Sequence, residues 1–376
     1  MKKLLILGTG GTIAGTASSA QDHTGYTAAQ IGVQDLLSGV PGLVDLLGDA
    51  QAACEQLAQI DSKDMQWPVM ARLALRCARA LQDHAVLGVV VTHGTDTLEE
   101  TAYFLQLCLA HLLKAHPKPI VLTCAMRPAT SSEADGPGNL RDAVAVAMSA
   151  AARGRGVLCV CAGEIHHASL VQKVHTSALN AFSSQGAHSL GHAIGEGSEY
   201  DLDEAEYGSD GLLGQVLHSL PEPDYAEVMF QPLENTIFIE NLSNVSAKWS
   251  YAAIEKLAHI KQWPRVEILH NHAQSDGLIV KALLSQMAQT GIASLRGIVV
   301  AGTGNGTLGT DLEAALLQAA DCGVLVWRVS RCAFGAVVPT PHDVLPSVAG
   351  LGAAKARVAM VLQLLQVSEA LDVGHH

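Results

Sequence analysis

Leu4-Leu5-Ile6-Leu7-Gly8-Thr9-Gly10-Gly11-Thr12-Ile13-Ala14-Gly15 lies near the start of the chain and decides how the rest is read. Unbroken aliphatics without alternation predict a strand buried on both faces, over residues 2–7. The run is too short for a secretory leader despite Lys2-Lys3, so the mature protein is expected to start at or near Met1. A dinucleotide fingerprint requires G-x-G-x-x-G, a helix behind it and an acid about 20 residues on. Gly8 and Gly10 fit, but Ile13 takes the third glycine position and the polar stretch Thr16–Thr27 replaces the helix. What remains is a flexible loop presenting the Thr12 hydroxyl and backbone N–H groups, with Tyr26 in the next turn-rich segment. Taken singly, a turn hydroxyl and a half-buried tyrosine are the plainer readings.

Working outward, further apolar runs predict strands at Leu87–Thr92, Ile120–Ala125, Val157–Cys161, Ile237–Ile239, Val266–Leu269, Ile298–Ala301 and Val324–Val329. Helical spacing marks Asp64–Leu81, Thr97–Lys114, Asn139–Ala152, Leu278–Gln289 and Asp311–Ala320. The alternation predicts an α/β protein: a doubly wound, mainly parallel sheet in a larger N-terminal domain, and a smaller α/β C-terminal domain. Ligands bind outside the carboxyl ends of strands in such sheets. That directs attention to the residues after Leu7, Val91 and Thr123. The stretch from Gly195 to Pro232 is acidic and rich in Gly and Pro, and reads as a solvated connection, a surface insertion or a lid. The domains are placed at 1–194, 195–250 (linker or insertion) and 251–376.

Composition removes several function classes. With 23 basic and 36 acidic residues, the net charge is −13, and no Lys/Arg block offers the basic face a nucleic-acid partner needs. No apolar run reaches the roughly 18 residues of a membrane span. The eight cysteines lack any CxxC and read as reduced core thiols, so a cytoplasmic location is expected. Cys159 and Cys161 lie near His166-His167, but no second ligand pair has usable spacing, so no metal is expected.

The second strand delivers Thr92-His93-Gly94-Thr95-Asp96-Thr97-Leu98-Glu99-Glu100-Thr101-Ala102, in which Thr95 or Asp96 could simply cap the helix that follows. The third ends in Ala125-Met126-Arg127-Pro128, with Ala134-Asp135-Gly136-Pro137 behind. Together with Gly8–Gly15, these blocks resemble the bacterial-type L-asparaginases, the asparaginase/glutaminase family of threonine amidohydrolases. Gly302-Thr303-Gly304-Asn305-Gly306 and Ser330-Arg331 extend the likeness into the C-terminal half.

The resemblance implies hydrolysis of the L-asparagine side-chain amide through an acyl ester on Thr12, activated by Tyr26, without metal or organic cofactor. A second cluster of Thr95, Asp96 and Lys173 would move protons, the lysine serving as a base toward Thr95 or water. Gly11 and Gly94, with their following threonines, would supply oxyanion N–H donors. Asp96 would take the substrate ammonium, Ser62 its carboxylate, and Ala125 would line the pocket. Ser62 read alone is an N-cap. Lys63, counted among the substrate-binding residues, stands where relatives commonly carry an amide or an acid that contacts the substrate ammonium; it turns outward, helps hold the substrate carboxylate, or marks an altered substrate preference. Gln274 stands where relatives tend to have an asparagine. The family also implies a homotetramer with sites at an intimate dimer interface. The alternatives are a glutaminase-asparaginase and a non-catalytic amino-acid-binding protein on the same scaffold.

Overall fold

The computed structural model describes residues 1–184, 191–192, 249–287, 295–348 and 350–367. The acidic stretch from Gly195 to Pro232 and the strand expected at Ile237–Ile239 lie outside them. Contacts divide the described chain into two units, residues 1–184, 191–192 and 250–258 in the first and the remainder in the second.

The first unit is built on a seven-stranded sheet. Its strands are β1 (Lys3–Gly10), β2 (Gln51–Ile60), β3 (Val86–Thr92), β4 (Ile120–Thr123), β5 (Val157–Cys161), β6 (Glu164–His167) and β9 (Gly191–His192). Two short strands, β7 (Gln172–Lys173) and β8 (Phe182–Ser183), pair separately. The order is β2-β1-β3-β4-β5-β6-β9, with the first five parallel and the last two joined antiparallel. The chain leaves β1 for β2 on one side and then crosses to β3 on the other. The carboxyl end of β1 is therefore the switch point at which such sheets open a crevice.

Helices α1 (Val33–Ser38), α2 (Leu43–Leu47) and α5 (Gly136–Met148) form one packed group on the sheet. α3 (Trp67–Gln82) and α4 (Leu98–Ala115) form another. The central strands are almost wholly buried, as continuous Leu/Ile/Val runs between two helical layers require. Gln51–Ile60 has no such run. As the outermost strand it is half-exposed along its length, so neither alternation nor continuous hydrophobicity marks it in sequence.

The helix expected from Asp64 starts at Trp67 instead, with Pro68 in its first turn, where the missing N–H costs nothing. Ser62–Asp64 forms a separate 3₁₀ turn before it. The helix expected to run to Ala152 ends at Met148, and Ala150–Ala152 forms another 3₁₀ turn. α6 (Tyr251–Leu257) packs on α3 and belongs to the first unit, although it lies at the start of the stretch, 251–376, where the sequence reading places the C-terminal domain.

The second unit holds a parallel sheet of β10 (Arg265–His270), β11 (Leu295–Gly302) and β12 (Leu325–Ser330). α7 (Leu278–Met287), α8 (Thr310–Asp321) and α9 (Ala353–Val367) pack with it. Sequence periodicity does not single out α9, whose alanines and aliphatics surround the helix. Gln274 sits in the left-handed region (φ 61°), which asparagine tolerates better than glutamine does. Cys322 and Cys332 are exposed and are not core thiols, and all eight cysteines are free. Among the described residues no helix is long and apolar enough to cross a membrane.

Candidate active site

Parallel pairing sets the heights of three loops. Gly8 of β1 lies opposite Thr92 of β3, and the Gly11 N–H donates to the Ile60 carbonyl at 2.9 Å. The chain past β1, β2 and β3 thus emerges at one level, bringing Gly11-Thr12, Ser62 and Gly94-Thr95-Asp96 together. The approach needs glycine: a Cβ on Gly11 would overlap the Cα and N of Gly94, and one on Gly94 would overlap the Ser62 side chain. Gly11 also has φ 81°, a conformation that L side chains rarely adopt.

Thr12, almost buried, shares a 2.8 Å hydrogen bond with the Tyr26 hydroxyl. Paired backbone bonds between Thr16 and Thr27, 2.9 Å each, close the base of the intervening loop and return Tyr26 to Thr12. Beside them, Lys173 Nζ donates to Thr95 Oγ1 and to Asp96 Oδ1, both at 2.8 Å. Neither Thr95 nor Asp96 caps α4. Thr97 occupies that position without a side-chain cap and donates its hydroxyl to the Ser62 carbonyl at 2.8 Å. Nor is Ser62 an N-cap: Asp61 caps the 3₁₀ turn, and Ser62 Oγ accepts the Asp96 N–H at 3.2 Å. Ala125 is fully buried in an apolar cluster with Ile13 and Ala14, under the Thr12 loop.

The structure therefore brings Gly11, Thr12, Tyr26, Ser62, Gly94, Thr95, Asp96 and Lys173 into one constellation of two hydroxyl sets. The chain matches the family model for the N-terminal asparaginase domain over residues 3–206 and that for the glutaminase/asparaginase C-terminal domain over 265–370. It is 31% identical to L-asparaginase 2 of Bacillus subtilis (strain 168), over 98% of this chain and 84% of that protein. The chain belongs to the bacterial-type L-asparaginase family. Glutaminase-asparaginase of Pseudomonas fluorescens biotype A is 32% identical over 99% of this chain and 89% of its own length. The crystal structure of a probable cytoplasmic L-asparaginase from Campylobacter jejuni superposes with a TM-score of 0.73. That match has 32% identity and covers 98% of this chain and 97% of the other.

Within this asparaginase fold, the Lys63 side chain is mostly exposed. Its ammonium is bound by Asp61, which raises its pKa, with smaller contributions from Asp64 and Asp96. His93 is fully buried, and burial lowers its pKa to about 4, against a partly offsetting bond to Gly94. A carbonyl can only accept, so the 2.8 Å contact from Nδ1 to the Gly94 oxygen places the ring proton on Nδ1. Nε2 has no hydrogen-bond partner among the described residues.

Sequence reasoning assigned no role to Asp61, Glu99 or Asp135. Asp135 accepts the N–H groups of Met126 and Arg127, at 2.9 Å each, and so shapes the loop after β4. Its place in the quoted Ala134–Pro137 motif was the available signal. Glu99 lies in the quoted Thr92–Ala102 motif, but the backbone it holds is set by tertiary approach. Asp61 holds Lys63, two residues on, through a side-chain direction that no motif marks.

The Cys159–His167 neighbourhood is committed to other bonds. Cys124 and Cys161 touch through their sulfurs at 3.2 Å, and His166 Nδ1 meets Ser184 Oγ at 2.8 Å. Among the described residues no group of three His, Cys, Asp or Glu side chains is arranged to hold a metal ion.

Proposed function

We propose that this amidohydrolase converts L-asparagine to L-aspartate and ammonia through an acyl ester on Thr12. The reading is carried by one observation: the loop bearing the Thr12–Tyr26 pair meets, at Gly11 and Gly94, the loop bearing Thr95 and Asp96, to which Lys173 donates from β7. The Tyr26 hydroxyl takes the Thr12 proton while passing its own phenolic proton to water, as the threonine oxygen attacks the carboxamide carbon; the reverse exchange re-protonates Thr12 when the ester is cleaved. N–H groups at Gly11-Thr12 and Gly94-Thr95 stabilise the developing oxyanion, where a single donor contributes about 3–4 kcal/mol.

The leaving nitrogen departs only when protonated. Lys173, hydrogen-bonded to Thr95 Oγ1, supplies that proton through the threonine hydroxyl and takes one from water when the ester is hydrolysed. Asp96, exposed on its outer side, binds the substrate ammonium. Ser62 accepts from the Asp96 N–H and can direct its own proton to the substrate carboxylate. We place the enzyme in the cytoplasm as a homotetramer with sites at an intimate dimer interface. A fully active monomer by light scattering overturns the assembly.

Glutaminase activity is the second reading, favoured by the glutaminase-asparaginase relatives. A pocket separates substrates one methylene apart by only about 1–3 kcal/mol. Ammonia release from L-asparagine and L-glutamine in parallel, with wild type and Thr12→Ala, tests both. Release by wild type alone supports the threonine ester, and the ratio of rates identifies the preferred amide. A folded wild type that hydrolyses neither amide refutes the reading.

A further inference from the structure

Lys173 reaches the constellation from an insubstantial support. Among the described residues β7 has two residues paired with the two of β8, and the Val174 N–H adds one backbone bond to the Ala181 carbonyl at 2.8 Å. The segment beyond it includes the exposed Val174 and Leu179. A lysine side chain has four rotatable bonds, so an ammonium group on such a strand is poorly placed unless its backbone is held independently.

Glu99 provides that hold. Its Oε2 accepts the Lys173 backbone N–H at 2.8 Å, 74 positions away in the chain. Glu99 lies in the first turn of α4, three residues beyond Asp96. One short stretch therefore grips the lysine at both ends, Thr95 and Asp96 at Nζ and Glu99 at the main chain. The separation between Lys173 and Thr95 is then set by the geometry of a helical turn rather than by the two-residue strand. A carboxylate in a helix's first turn also complements its dipole. That role alone would stabilise α4 without requiring a bond to the strand bearing the lysine.

We propose that Glu99 is a positioning residue for Lys173, fixing the backbone from which its ammonium reaches Thr95. The inference rests on the proton-carrying role given to Lys173 above. In the full-length enzyme, Glu99→Ala is expected to lower kcat for L-asparagine by on the order of 10- to 100-fold, with KM held within about twofold because Asp96 and Ser62 remain. Glu99→Gln keeps a side-chain oxygen as acceptor and should recover kcat to within roughly threefold of wild type. Glu99→Asp keeps the charge on α4 but withdraws the acceptor by one methylene. It should behave like Glu99→Ala, and it serves if the alanine variant fails to fold.

Hydrogen exchange gives a readout independent of turnover: the Lys173 amide should be protected in wild type and Glu99→Gln, and exchange fast in Glu99→Asp. Unchanged kcat in the alanine and aspartate variants, a glutamine variant as impaired as they are, or unchanged Lys173 exchange would overturn the assignment. If the exchange pattern holds while wild type hydrolyses neither amide, the anchor stands and the proposed reaction falls. An active wild type with no response to Glu99 gives the reverse.

Discussion

Gly11 and Gly94 approach so closely that neither can carry a Cβ without displacing backbone or Ser62. They lie 83 positions apart in the chain, yet their contact joins the loop bearing Thr12 to the loop bearing Thr95 and Asp96. Gly11→Ala adds an overlap with backbone to a strained φ, a conformational cost of about 1–3 kcal/mol. We expect a lower Tm and a loss of turnover on the order of 100-fold, because reacting groups displaced by about 1 Å lose that much. Gly42→Ala is the control. Gly42 also has positive φ (66°) but open space around its Cβ, so stability should fall while kcat holds.

The two hydroxyl sets should fail in different ways. Thr12→Ala removes the proposed nucleophile and should lower kcat by on the order of 10⁴-fold or more, leaving only binding and oxyanion stabilisation. Lys173→Met keeps the length but cannot move a proton, and should lower kcat by about 10²–10⁴-fold. Trapping the acyl ester by mass spectrometry after acid quench separates them: where ester hydrolysis depends on Lys173 more than ester formation does, the ester accumulates in Lys173→Met and is absent from Thr12→Ala. Equal turnover in Lys173→Met and wild type would remove the lysine from the mechanism.

Lys63 would repel a substrate ammonium if Asp61 did not hold and neutralise it. Asp61→Asn releases that positive charge beside Asp96 and should raise KM for L-asparagine roughly three- to fivefold, an effect shrinking at high salt. Adding Lys63→Gln should return KM to near the wild-type value. Steady-state kinetics on the four members of this cycle, at two salt concentrations, check the point. Additive effects without rescue would mean that the pair does not govern substrate charge.

His93 predicts an acid-sensitive fold. Its pKa falls from 6.5 in the unfolded chain to about 4 in the fold, so between those values the unfolded state binds more protons and stability falls as pH falls. The full loss, complete once pH drops through about 4, is about 3 kcal/mol. His93→Asn, with an amide donor in place of Nδ1–H, should flatten this part of the pH–stability curve. Denaturant melts between pH 7 and pH 4 give the comparison, and equal slopes for the two proteins would exclude His93 as the titrating group.

Much of this protein was legible in one dimension. Continuous aliphatic runs at Leu4–Leu7, Leu87–Thr92 and Val157–Cys161 identify strands buried on both faces, because only a parallel sheet between two helical layers can bury them so. Glycine-and-hydroxyl loops directly behind the first two runs locate the crevice, since loops at strand carboxyl ends are where such sheets bind ligands. Thr12, Thr95 and Asp96 lie in those loops, whereas Tyr26 and Lys173, and the roles of all five, follow only from the family resemblance. The edge strand Gln51–Ile60 could not be read that way, because half-exposed residues at a sheet margin need follow no burial pattern. Bonds such as Lys63–Asp61, His93–Gly94 and Lys173–Glu99 depend on side-chain direction and loop approach. The first two are local in sequence but depend on which way a side chain turns, and the third joins residues 74 positions apart that meet only once the chain has folded.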